Sequence, residues 1–113
     1  MSEKENETAS QNTDTENDET EFLFIQFISG LYTSTMQHLG KLMNPLTGKV
    51  DKNLDAAKAT IELVSMLKEK TKNNLGKREN DTINNALANM QMNYVDELKR
   101  EETGKSEKEE DSK

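Results

Sequence analysis

The segment FLFIQFISGLYTSTMQHLG, residues 22–40, decides how this chain is read. It contains no Asp, Glu, Lys or Arg, although 33% of all residues in the chain are charged. On a helical wheel of about 100° per residue, Phe24, Ile25, Phe27, Ile28, Leu31, Tyr32, Met36 and Leu39 fall within an arc of about 180°. Leu42 and Met43 extend the same arc. The opposite side carries Gln26, Ser29, Gly30, Thr33, Gln37 and Gly40. A solvated helix face normally carries Lys and Glu. Small uncharged residues instead suit the close approach of another helix. Ile25, Ile28, Tyr32, Thr35, Leu39 and Leu42 follow one another at heptad-like spacing, over too short a run for a long coiled coil.

Outward from this segment the composition changes sharply. Of the 35 apolar residues, 33 lie between Phe22 and Leu98. Residues 1–20 carry a net charge of −6 and residues 100–113 a net of −2, while residues 21–99 are nearly neutral. Neither flank holds enough apolar surface to offset the entropy of ordering, so 1–20 and 100–113 are expected to be disordered tails.

Asn44-Pro45 is expected to stop the first helix, because the residue before Pro is pushed out of the α region. Leu46-Thr47-Gly48-Lys49 then reads as a turn. Asp51 or Asn53 caps a second helix. Leu54, Ala57, Ile61, Leu63, Val64 and Leu67 lie on its apolar sides, and its charged face is narrow. Asn73 suits a left-handed helix end, with Leu75 packing back on the helix. The third helix begins near Lys77, with Gly76 as its cap and Glu79 three residues on in a capping-box position. Ile83, Ala86, Leu87, Met90, Tyr94 and Leu98 make one apolar face there, and Asn80, Asn84, Asn85, Asn89 and Asn93 lie outside it. The expected fold is all-α, with helices at about 21–43, 53–73 and 77–99. The first two form a hairpin and the third is peripheral. Leu63 and Leu67 are expected in the core shared by the first two helices.

Chemistry finds little support. His38 is the only histidine, and a functional imidazole needs an orienting carboxylate, for which Glu62 and Glu69 are the candidates. With no cysteine and one histidine, neither a metal site nor a disulfide framework is expected, and no cofactor is implied. Thr33-Ser34-Thr35 carries hydroxyls of the kind that bond back to the preceding turn of a helix. Thr47-Gly48-Lys49 lacks the upstream glycine and strand of a phosphate-binding loop. Lys68, Lys70 and Lys72 complement a helix C-terminus and do not form the basic stripe that nucleic acid requires.

The run His38-Leu39-Gly40, Pro45, Thr47-Gly48, Asn53-Leu54, Ala57, Ile61, Met66-Leu67, Lys70-Thr71, Asn74-Leu75, Met92 and Tyr94-Val95 resembles a bacterial family known as domain of unknown function 1844. The resemblance covers about Phe22 to Leu98. It departs at Asn73, where Gly is expected, at Gly76, where Thr or Ser is usual, and at Gln91, where Arg is common. It implies an all-helical bacterial cytoplasmic protein and no activity. The absence of a basic region followed by an apolar run at the N-terminus also points to the cytoplasm.

The resulting expectation is a non-enzymatic helical module that forms a homodimer. Phe24, Ile25, Ile28, Leu31, Tyr32 and Leu39 are its candidate self-association surface. The alternatives are membrane-surface contact through Phe22–Ile28, and a ligand binder or enzyme around His38.

Overall fold

The computed structural model describes the backbone of residues 2–111 and the side chains of residues 17–104. Three helices follow one another: α1 over Ser2–His38, α2 over Leu54–Lys70 and α3 over Lys77–Asp111. Each packs against both others. The fold is all-α.

The core collects the inward stripe of every helix. Ile28, Met36 and Leu39 come from α1 and the residue that follows it, Ala57, Ile61 and Val64 from α2, and Ile83, Ala86, Leu87 and Met90 from α3. Phe24, Leu31, Tyr32, Leu67, Leu75 and Tyr94 close its edges. Although its outer face is rich in Asn, α3 places four side chains in this core. Thr35 is also fully buried, and its hydroxyl donates to the Leu31 carbonyl at 2.8 Å, so it carries no unmet polar group.

The helix ends follow local chemistry. Gly40 has φ +78, with its N–H on the Gln37 carbonyl and the Lys41 N–H on the Met36 carbonyl. This pair of bonds is a Schellman closure around a left-handed residue. α1 therefore ends at His38, five residues before the expected Met43, because Gly40 acts before Pro45 can. Asn44 and Lys49 then form an isolated bridge, Gly48 takes φ +69, and the Asn44 Oδ1 accepts the Leu46 N–H at 2.9 Å. The turn expected at 46–49 is present.

Asn53 caps α2, its side chain accepting the Ala56 N–H at 3.0 Å. α2 ends at Lys70 and not at Asn73, because beyond Thr71 the bonding tightens to Lys72 N–H on the Glu69 carbonyl and Asn74 N–H on the Thr71 carbonyl as the chain turns toward left-handed Asn73. Asn73 is left-handed at φ 70, and Leu75 packs on the core. The Gly76 N–H donates to Glu79 Oε1 at 2.9 Å, opening α3 as the capping position implied.

Both outer helices extend past their expected ends, into residues 2–20 and 100–111. The expectation of disordered tails falls mainly on residues 1–16 and 105–113, whose side chains lie outside the described residues. No Pro interrupts either flank. Adding residues to an existing helix avoids the cost of nucleation.

Candidate functional site

The apolar arc of α1 faces inward. Ile28 and Leu39 are fully buried within the chain, while Phe24, Leu31 and Tyr32 pack on the core edge and Ile25 is half-buried. The surface expected to pair with another copy is therefore largely occupied by α2 and α3. This corrects the assignment at Ile28 and Leu39, which no partner can reach in this fold. The physical reason is the inward face of α3, whose four core side chains join α2 in covering the arc.

What remains open lies on the other side of α1. Leu23 is 63% exposed and Phe27 54% exposed, and Phe22 is exposed as well. These residues continue into Gln26, Gly30, Thr33 and Ser34, so the outward face of α1 is uncharged from Phe22 onward. A Cβ added at Gly30 would meet nothing within 4 Å. On α2, Met66 and Leu63 are also open, Leu63 at 40%. Leu63 is therefore not a shared-core residue, whereas Leu67 does pack against the core.

Two further apolar clusters reach solvent. Leu42, Met43, Leu46 and Val50 line the connection between α1 and α2, with Leu46 94% exposed at its tip. Met92 and Val95 lie on the outer face of α3.

A polar cluster ties that connection to α3. Glu97 is buried, and it accepts from Lys41 at 2.7 Å and Lys52 at 2.8 Å. Lys41 also reaches Asp96 at 3.0 Å, and Arg100 stands 3.5 Å from the same carboxylate. The hydrogen bond from Lys41, reinforced by that from Lys52, holds the Glu97 carboxyl below its ordinary range, although burial opposes this. The bonds to Glu97 and Asp96 raise Lys41. The sequence reading missed this cluster. Its signal was available: Glu97 follows Met90 by seven residues and so occupies a core position of the α3 wheel.

His38 is half-buried at the end of α1, and its backbone carbonyl accepts the Asn53 N–H at 2.7 Å. Glu62 and Glu69, the proposed orienting carboxylates, are exposed on α2. Among the described residues, no group of three or more His, Cys, Asp or Glu side chains is placed to hold a metal ion. Among the same residues, no helix is long and apolar enough to cross a membrane.

The sequence profile described as Domain of unknown function (DUF1844) matches residues 21–96. The chain belongs to this family. The match spans the three-helix core and stops at Asp96, within the polar cluster and one residue before Glu97. No curated protein and no solved structure matches the chain.

Proposed function

We propose that this DUF1844 protein is a cytoplasmic, non-enzymatic helical module that binds a second copy of itself. One observation carries the reading: Leu23 and Phe27 stand 63% and 54% exposed on a helix face without charge. Contiguous apolar surface on a folded domain marks an interaction site. A face with no charge offers nothing to a charged ligand, and the acidic side chains of Asp18 and Glu19 just before it repel an anionic bilayer.

Sedimentation equilibrium of the full chain at micromolar concentration tests the reading. The expected result is a concentration-dependent dimer. Phe27→Lys, at an exposed position, should leave helicity intact and shift the equilibrium to monomer. A stably folded monomer at every concentration would overturn the proposal.

A further inference from the structure

The geometry of the contact can be taken further, resting on the reading that the chain self-associates. A groove bordered by Ser29 and Tyr32 of α1 and by Asn85 and Asn89 of α3 marks the α3 side of α1. α2 also packs on α1, meeting it where the His38 carbonyl accepts the Asn53 N–H, and so takes the remaining side of the buried arc. Outward between these flanks run exposed Leu23, Phe27 and Gly30 and half-buried Ser34 and Gln37, three or four residues apart and so aligned on one face. The right-handed winding of α2 places Ala59, Leu63 and Met66 on the adjoining outward edge.

The two helices run antiparallel, since the end of α1 meets the start of α2. Leu63 and Met66 therefore lie nearer the level of Leu23 and Phe27, and Ala59 nearer that of Ser34. The combined face has a half of large side chains and a half of small ones. Gly30 stands at the midpoint between Leu23 and Gln37, in open space.

Such a face complements itself when turned end for end. Rotation about an axis at Gly30 sets Phe27 over the partner's Ser34 and Leu23 over the partner's Gln37. It also brings exposed Lys70, at the end of α2, toward the exposed carboxylate of the partner's Asp55. A parallel pairing about an axis along α1 would stack Phe27 on the partner's Phe27, leave the small half unfilled and carry the two α2 helices to opposite sides, away from the contact. We infer that the partner of this α1–α2 face is a second copy of the chain, docked antiparallel with Gly30 on the two-fold axis. A two-fold interface uses the same patch twice, and this patch has the required self-complementarity.

The chain contains no cysteine, so engineered thiols report position cleanly. Full-length Leu23→Cys and Gln37→Cys proteins are mixed at micromolar concentration and mildly oxidised. The mixed disulfide should form first, and Leu23→Cys alone should cross-link about tenfold more slowly, because a disulfide requires Cα atoms within about 7 Å. Gly30→Leu, which fits the open surface of the single chain, should weaken dimerisation by about tenfold or more by overpacking the axis while leaving helicity unchanged. Leu23→Cys cross-linking to itself as fast as in the mixture would overturn the antiparallel geometry. A dimer that cross-links through Met92→Cys on α3 and not through α1 would overturn the interface while sparing self-association. A monomer at all concentrations would overturn both, and its co-sedimentation with neutral lipid vesicles would assign the face to a bilayer.

Discussion

Lys52, just before α2, donates to Glu97 Oε2 at 2.8 Å while Lys41, just after α1, donates to Glu97 Oε1 at 2.7 Å. One buried carboxylate on α3 thus fastens both ends of the α1–α2 connection. The ion pairs are separated by 45 and 56 positions in sequence, so they report tertiary closure and not local structure.

Acid should loosen this fastening. The Glu97 carboxyl is held below its ordinary range in the fold. A carboxyl depressed in the native state adds stability that is fully present above its unfolded value, about pH 4.3, and is lost as pH falls through the folded value. Thermal midpoints should fall between about pH 5 and pH 3, and Glu97→Gln should flatten part of that fall. At neutral pH, Glu97→Gln should cost about 1–3 kcal/mol, since two lysines lose a charged partner. A Glu97→Gln protein with the same acid profile as the parent would contradict the assignment. Lys41, raised in the fold, behaves oppositely. Its contribution is present at neutral pH and is lost only as pH rises through the elevated value.

Val64 and Leu63 are neighbours in sequence, yet Val64 is fully buried and Leu63 is 40% exposed. Val64→Ala should cost about 1–2 kcal/mol and lower the melting midpoint, in line with loss of buried methyl groups. Leu63→Ala should change monomer stability by less than about 0.5 kcal/mol. Chemical denaturation at low protein concentration measures both. Equal losses would mean that α2 is rotated from the orientation described.

Two glycines of the first segment should respond in opposite directions. Gly40 adopts φ +78 in the closure of α1, so Gly40→Ala should cost about 1 kcal/mol through left-handed strain. Gly30 lies in mid-helix with open space around it, so Gly30→Ala should stabilise the dilute monomer by about 0.5–1 kcal/mol. Urea denaturation of both variants below the association range checks the contrast, and a destabilised Gly30→Ala monomer would remove it.

Much of this fold can be read from short-range chemistry. The Asn53 cap, the turn at Gly48, the left-handed Asn73 and the Gly76–Glu79 bond each depend on groups within a few residues of one another, and each occurs where its residue types place it. The family resemblance is legible for the same reason, because its distinctive residues cluster at these helix ends. Gly40 was within reach of the same reasoning, but Pro45 drew the expected helix end too far.

Tertiary structure alone decided which apolar residues of α1 are used up. Ile28 and Phe27 are adjacent and similarly hydrophobic, yet Ile28 is fully buried and Phe27 is not. Periodicity determined that α1 has a broad apolar arc, but an arc of about 180° leaves open where two neighbours will sit on it. That choice depends on how α3 packs across α1 and α2, which brings α1 residues such as Ile28 beside α3 residues such as Ala86, distant in sequence. Glu97 became a fastening by the same route. Its position on the α3 wheel is local, but the lysines that stabilise its charge arrive only when the chain closes.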